Sequence, residues 1–225
     1  MFTQPPGTAQ SGVGISPPPV VQLQDNLGNP VATSGVGITA SIAPAPGGTR
    51  SGGTIARTDV NGRATFGPSN LIIPGPTGSY TLQFNGASLT GVTSSAISLT
   101  AGSAARAFVT AQPATAQSGV AFTTAPAVQV QDAAGNPVAG AGRSVIVSLL
   151  SGSGTLTGTL TQSTNASGVA TFPSLVLTGT IGPRTLLFSS ASIASDTTSA
   201  ITLTPGTATA LEYVQQPTTV VAGQV

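Results

Sequence analysis

Residues 21–31, VQLQDNLGNPV, recur almost unchanged as residues 128–138, VQVQDAAGNPV, at an offset of 107. Other stretches recur at nearly the same offset: TAQSG at 8–12 and 115–119, ATF at 64–66 and 170–172, and SAISLTAG at 95–102 as SAITLTPG at 199–206. Self-similarity at a fixed period is the signature of tandem units. We therefore predict two complete units, residues 1–103 and 104–206. Residues 207–225 then form the first strand of a third repeat or a donated strand.

Both units alternate apolar and polar residues with a period of two, as half-buried strands do. Val21 and Leu23, for example, alternate with Gln22 and Gln24, which are expected on the opposite face. About seven short strands per unit, separated by Gly, Pro, Asn and Ser turns, are typical of an immunoglobulin-like sandwich. The predicted fold class is all-β: tandem immunoglobulin-like β-sandwiches. The residues expected to face inward are Val21, Leu23, Ile38, Ala40, Ile42, Ala64, Phe66, Leu82, Phe84, Ile97 and Leu99 in unit one, and Val128, Val130, Val145, Val147, Leu149, Ala170, Phe172, Leu186, Phe188, Ile201 and Leu203 in unit two.

The segments between these strands carry the residues that tight turns require. In residues 25–30, DNLGNP, the glycine can adopt a positive φ and the Asp25 carboxylate can cap the turn. Residues 59–62, DVNG, and 165–168, NASG, are equivalent and are predicted to be hairpin turns with a left-handed glycine. We therefore interpret most of the acidic residues of the chain as turn caps.

Three motifs follow one another along unit one. They are Asp-x-x-Gly-Asn-Pro-Val from Asp25, Thr-Asp-x-Asn-Gly-x-Ala-Thr-Phe from Thr58, and Gly-Ser-Tyr-Thr-Leu-x-Phe from Gly78. This order resembles the bacterial immunoglobulin-like (invasin/intimin-type, Big) tandem repeats of cell-surface proteins, over nearly the whole chain. Unit two departs from the pattern, with Arg184 in place of Tyr80 and Asn165 in place of Asp59. The resemblance implies an extracellular or cell-surface location and a structural or adhesive role, and it supplies no catalytic residue.

The composition excludes several classes of function. Only 5% of residues are charged, where about 25% is usual, and the net charge is +1. Without His or Cys there is no Ser-His-Asp triad, no thiol nucleophile and no ordinary zinc, copper or haem site. Six scattered Arg form no basic stripe, so we predict no nucleic-acid binding. No apolar run approaches the ~18 residues of a membrane span. Because Cys and Lys are absent, neither disulfide nor Lys–Asn isopeptide crosslinks are available.

The carboxylates do not assemble into a predicted active site. Asp25 and Asp132 are repeat equivalents, so they lie about one domain apart and cannot act on one bond. Asp59 has Asn165 as its counterpart, and the counterpart of Asp196 is Val92. A catalytic dyad would require Asp25 to approach Asp59 within one unit, and turn capping is the favoured interpretation. We therefore predict no catalytic residue and no enzyme activity.

No metal ligand, cofactor-binding residue or cofactor is predicted either. Residues 59–62 resemble the start of an EF-hand loop, but the later ligands are missing. Asn165-Ala-Ser167 is a glycosylation sequon, and glycans on it or on Ser and Thr remain open. Tyr80 and Tyr213 are too few and too far apart to form a sugar-stacking surface.

Three function classes remain: a structural stalk, filament or surface-layer element; an adhesin or binding module for a host or glycan ligand; and a spacer beside a catalytic domain outside this chain. The low charge and plain repetition favour the first. The strand ALEYVQQ at 210–216 either opens a third sandwich or adds to a sheet of a neighbouring subunit. The second arrangement makes a head-to-tail homopolymer, because such contacts do not close. Residues 103–107 have no counterpart before Met1, so unit one is expected to lack part of its edge.

Overall fold

The computed structural model describes residues 2–4, 7–42, 54–69, 71–215 and 223. Their regular secondary structure is all β-strand, with no helix among them that could cross a membrane. Each unit forms an immunoglobulin-like sandwich of β-sheets around its own core. The predicted fold class is therefore confirmed.

The strands are numbered in chain order. Those of unit one are β1 (Phe2–Gln4), β2 (Ala9–Gln10), β3 (Val20–Gln22), β4 (Gly37–Ile42), β5 (Thr54–Arg57), β6 (Arg63–Thr65), β7 (Gly78–Tyr80), β8 (Leu82–Gly86), β9 (Val92–Thr93) and β10 (Ile97–Thr100). Those of unit two are β11 (Arg106–Ala111), β12 (Thr115–Gln117), β13 (Ala127–Gln131), β14 (Ser144–Ser151), β15 (Thr155–Thr157), β16 (Thr161–Ser163), β17 (Val169–Thr171), β18 (Val176–Thr178), β19 (Gly182–Ser189), β20 (Asp196–Thr197) and β21 (Ile201–Thr204).

The two layers of each sandwich have matching strand orders. In unit one the order β1-β3-β6 forms one layer, and β2-β10-β7 together with β5-β4-β8-β9 forms the other. In unit two the layers are β11-β13-β17 and β12-β21-β19-β14-β16, with β20 against β19 and a separate β15-β18 pair. The first edge strand of each unit changes layers, since β1 and β11 pair antiparallel in one layer, whereas β2 and β12 pair parallel in the other.

Strand pairing follows the same register in both units. Ala40 lies opposite Phe84, and the equivalent Val147 lies opposite Phe188. At the edge of this layer, β1 pairs with β3 in unit one as residues 109–111 of β11 pair with β13 in unit two. The two pairings have the same register. β1 is therefore the counterpart of only the second half of β11.

The described residues form ten strands in unit one and eleven in unit two, more than the seven predicted for each. Some of the added strands are parts of divided strands, and unit two also has the separate β15-β18 pair. The layer change divides the first edge strand, and Thr81 separates β7 from β8, where β19 of unit two is continuous. Local alternation predicts that a strand exists, but its breaks are set by pairing with neighbouring strands.

The predicted core residues lie inside. All are buried except Leu23 and Leu149, which pack partly buried against the two cores. The ring centroids of Phe66 and Phe84 lie 5.0 Å apart at an interplanar angle of 59°. Their equivalents, Phe172 and Phe188, lie 5.3 Å apart at 56°. Tilted aromatic pairs of this kind stabilise a core beyond their buried area.

Gln22 and Gln129 belong to the polar half of the alternation, yet both are buried. Their side chains are 6% and 9% exposed. Gln22 Nε2 donates to Asn61 O at 2.9 Å, and Gln129 Nε2 donates to Ser167 O at 3.1 Å. Each amide thus secures the neighbouring hairpin turn, and these hydrogen bonds offset the cost of its burial.

Residues 207–215 form no strand and are exposed. The side chains of Leu211, Tyr213 and Val214 are 103%, 78% and 94% exposed. The rest of the predicted terminal strand, apart from residue 223, lies outside the described residues. Its pairing with a third unit or a neighbouring subunit stays a prediction.

Candidate functional site: the joint between the units

The hairpin turns are capped as predicted. Asp59 Oδ1 accepts hydrogen bonds from the backbone N–H groups two and four residues later, at 2.8 and 2.9 Å. Asn165 Oδ1 does the same at 2.9 and 3.1 Å, so the amide replaces the carboxylate without changing the turn. Gly62 and Gly168 have φ values of +74° and +77°, in the left-handed region that favours glycine.

The longer turns of the two units are built alike. Asp25 accepts from Asn29 N at 2.8 Å and from Asn29 Nδ2 at 2.9 Å. Asp132 accepts the same two bonds from Asn136, both at 2.8 Å. The bond from the Asn29 side chain is the main cause that holds the pKa of Asp25 below its ordinary value. We call these turns the 25–30 loop and the 132–137 loop.

The 132–137 loop also binds unit one. Asp132 Oδ2 accepts from Gly102 N at 2.7 Å. Asn136 Oδ1 accepts from Thr77 N at 2.8 Å, and Asn136 Nδ2 donates to Gly75 O at 2.9 Å. Asp132 and Asn136 are accordingly only 2% and 5% exposed. We call these five residues the joint.

The charge of Asp132 is retained within the joint. Burial by itself raises the pKa of this carboxyl group. The hydrogen bonds from the Asn136 side chain and the Gly102 N–H outweigh burial and hold the pKa below its ordinary value of 3.8. The contact to Gly102 is therefore a charge-assisted bond at neutral pH, stronger than a bond between neutral groups.

The face of unit one that receives this loop is shaped by backbone and small side chains. Ser11 Oγ donates to Gly75 O at 2.9 Å and accepts from Gly75 N at 3.2 Å. A Cβ at Gly102 would lie 2.6 Å from Ser11 O and 3.2 Å from Asp132 Oδ2. A side chain at position 102 would therefore require the Ser11 backbone to shift, and the Gly102 N–H donates to the carboxylate.

A groove of about 600 Å³ opens in unit one beside β3. Its apolar lining includes Leu23, Ile38, Phe84 and Val92, and the 25–30 loop borders it. Of this lining Ile38 and Phe84 are buried, and the apolar side chains that are exposed at the groove are Val31 and Leu89. We call this cavity the unit-one groove.

The remaining candidate residues have local structural partners. Asp196 Oδ2 accepts from Val109 N at 2.8 Å, and the sequon residues Asn165 and Ser167 are exposed on their turn. In the part of the chain that the structure describes, no three acidic, His or Cys residues are grouped to hold a metal ion. The absence of catalytic, metal-binding and cofactor-binding residues stays a prediction.

Position 184 shows how unit two accommodates its departure from the motif. Tyr80 is 3% exposed and donates through its hydroxyl to Pro76 O at 2.8 Å. Arg184 is 4% exposed and donates to Ser153 O at 2.8 Å and also to Thr180 O. Both side chains thus bond the carbonyl four residues earlier.

The joint was not predicted from the sequence. Asp25 and Asp132 stand in nearly identical local sequences and make identical turns, yet among the described residues only Asp132 contacts the other unit. The sequence contains one signal for it, which is that the whole loop is repeated. The turn requires its Asp cap but not the same Asn four residues later, so the repeated Asn indicates a further role.

Comparison with known proteins finds immunoglobulin-like domains. The family model of the sixth Ig-like domain of SMCHD1 matches residues 4–101, which is nearly all of unit one. No curated protein matches the sequence.

Solved structures with similar regions include invasin, a bacterial integrin-binding protein. It is 18% identical with a TM-score of 0.34, and the match covers 91% of this chain and 38% of invasin. The adhesin InvE of Yersinia pseudotuberculosis is 19% identical with a TM-score of 0.36, over 88% of this chain and 55% of InvE. A glycoside hydrolase family 2 β-glucuronidase is 14% identical with a TM-score of 0.39, over 84% of this chain and 20% of the enzyme. The chain therefore spans about two fifths to about half of the two adhesins.

Proposed function

We propose that this chain is a non-catalytic structural repeat of an extracellular or cell-surface protein, of the bacterial tandem-repeat type. In this role it forms part of a stalk, filament or surface layer. The joint carries the proposal, because it fixes one sandwich on the next through hydrogen bonds to backbone atoms. A spacer must hold its units in a defined orientation, and a network around a buried carboxylate does so.

The chemistry of the side chains supports a role without catalysis. Asp25, Asp59, Asp132 and Asp196 each accept hydrogen bonds from backbone N–H groups. General acid–base chemistry needs a titrating group poised near neutral pH and directed at a substrate. The pKa values of Asp25, Asp59 and Asp132 are instead lowered, so these groups remain charged turn caps.

The stalk proposal is tested by the relative motion of the two units in the full chain. Backbone ¹⁵N relaxation measures the rotational correlation time of each unit separately. We expect one shared correlation time in the unmodified chain and two shorter ones in the double variant Asp132→Ala, Asn136→Ala.

The matched control is Asp25→Ala, Asn29→Ala, which removes the same loop bonds from unit one but leaves the joint intact. We expect this control to keep the shared correlation time. Independent tumbling of the two units in the unmodified chain would contradict a spacer role. Selective binding to one structure on a glycan array would favour the adhesin alternative.

A further inference from the structure

In each unit, the first and last strands of one layer lie side by side and run parallel. In unit one β2 pairs with β10, and Ala9 lies opposite Leu99. In unit two β12 pairs with β21 in the same arrangement, and Ala116 lies opposite Leu203. All four of these side chains are buried, so one face of each pair is closed to water. We call each of these parallel pairs a terminal pair.

Backbone hydrogen bonds join the terminal pair of unit two along its whole length. At one end, Thr202 N donates to Ala114 O at 3.0 Å. At the other end, Ser118 N donates to Thr204 O at 3.0 Å. The register between these two bonds contains three residue pairs. The two strands are therefore connected at several points along one line.

Unit one repeats this arrangement, and a threonine side chain reinforces both terminal pairs. Ser11 N donates to Thr100 O at 2.9 Å. Thr100 Oγ1 donates to Ala9 O at 3.2 Å, and the equivalent Thr204 Oγ1 donates to Ala116 O at 3.1 Å. These hydroxyl bonds cross between strands that backbone bonds already join, so they add to the same connection.

Tension along the chain pulls the two strands of a terminal pair in opposite directions. The chain enters this layer of unit two through β12 and leaves it from β21. Tension therefore draws β12 towards its N-terminal end and β21 towards its C-terminal end. Because the strands are parallel, these two ends lie at opposite ends of the pair, and the force acts along the strands. All the bonds between them are then loaded together, whereas an antiparallel pair would be pulled from one end and opened bond by bond.

We propose that each terminal pair is a shear clamp through which the chain bears tension along its length. The hydroxyl groups of Thr100 and Thr204 strengthen the two clamps. The proposal rests on the proposed structural function, because a stalk or filament is loaded along its axis, and it identifies the bonds that carry this load. Noncovalent bonds must carry it, since the chain has neither the Cys of a disulfide nor the Lys of a Lys–Asn crosslink.

Force spectroscopy of the full chain tests the clamp of unit two by pulling it in two directions. Because the protein has no cysteine of its own, introduced cysteines provide the two attachment points. Ala114→Cys with Thr207→Cys loads the terminal pair from opposite ends, because Ala114 O accepts from Thr202 N at the start of β21. Both attachment positions are exposed.

The matched control combines Thr207→Cys with Val120→Cys, which is also exposed, and loads the same strands from one end. The chain segments after β12 and β21 lie side by side there, since a Cβ at Gly206 would be 2.7 Å from Ser118 O. Unfolding under force is governed by the unfolding rate. We expect the opposite-end pair to unfold at about three times the force of the control, because the three residue pairs are loaded together. Equal forces in the two directions would overturn the clamp.

The threonine hydroxyl gives a second measurement, made at the same two attachment points. Thr204→Val removes the bond to Ala116 O, which is one of about four connections if the three residue pairs are counted with it. We expect the opposite-end unfolding force to fall by about a quarter. The matched control is Thr202→Val, an exposed position on the same strand whose side chain makes no hydrogen bond within the described residues. An equal loss of force in both variants would overturn the role of the hydroxyl group.

The outcome for the clamp is separable from the outcome for the proposed function. An unfolding force that does not depend on direction would overturn the clamp alone, because the joint would still hold the two units as a spacer. Independently tumbling units in the relaxation measurement would overturn the proposed function, while the dependence of the force on direction within unit two would remain.

Discussion

Replacement of Asn136 by Ala should weaken the joint by an amount that the structure allows us to estimate. Asn136 makes two hydrogen bonds to unit one, from Thr77 N at 2.8 Å and to Gly75 O at 2.9 Å. A net contribution of about 1 kcal/mol for each bond gives about 2 kcal/mol. The substitution also removes the bonds from Asn136 to Asp132 within the loop, and this loss must be measured separately.

Asn29→Ala supplies that separate measurement, because Asn29 makes the same bonds to Asp25 within its own exposed loop. We expect the free energy of unfolding to fall by about 2 kcal/mol more in Asn136→Ala than in Asn29→Ala. Urea unfolding followed by far-ultraviolet circular dichroism measures both values. The chain has no Trp, and its second tyrosine, Tyr213, is already exposed, so the change in tyrosine fluorescence on unfolding reports mainly the buried Tyr80 of unit one.

Equal losses of stability in the two variants would refute this estimate. Such a result would mean that the bonds between the units are no stronger than the bonds to water that replace them. The hydrogen bonds of the joint would then make no net contribution to the free energy of unfolding. Equal losses together with an unchanged Tyr80 transition would be the clearest form of this outcome, because the first unit to unfold must break the joint.

Three further predictions concern the core, the receiving face and pH. Phe188→Ala should cost about 3–5 kcal/mol, whereas Phe108→Ala, at a 42% exposed position, should cost much less; calorimetry of both variants checks this. Gly102→Ala should lose about 1–3 kcal/mol because its Cβ meets Ser11 O, while Gly67→Ala, with nothing within 4 Å, serves as the neutral control in urea unfolding. Because folding lowers the pKa of Asp132, its carboxylate contributes fully to the free energy of unfolding above pH 3.8. This contribution is lost as the pH falls below that value. The difference in Tm between the unmodified chain and Asp132→Asn should therefore shrink at acidic pH, and a constant difference would contradict this assignment.

The features that depend on neighbours along the chain were predictable from the sequence. Period-two alternation places Phe84 and Phe188 inside, because successive side chains of a strand point to opposite faces. The caps at Asp59 and Asn165 were equally accessible, since an Asx turn joins atoms only two to four residues apart. The repeat itself established that there are two cores, because each copy carries a full set of inward positions.

The tertiary structure alone decided how identical local sequences are used. Gln22 and Gln129 follow the polar half of the alternation, yet they are buried because hairpin carbonyls close over them. Asp25 and Asp132 make the same turn, but only Asp132 is buried, against Gly102. Local sequence determines a turn because its bonds close within a few residues. Whether that turn meets solvent or another unit depends on contacts between distant residues, and no window of the sequence contains both partners.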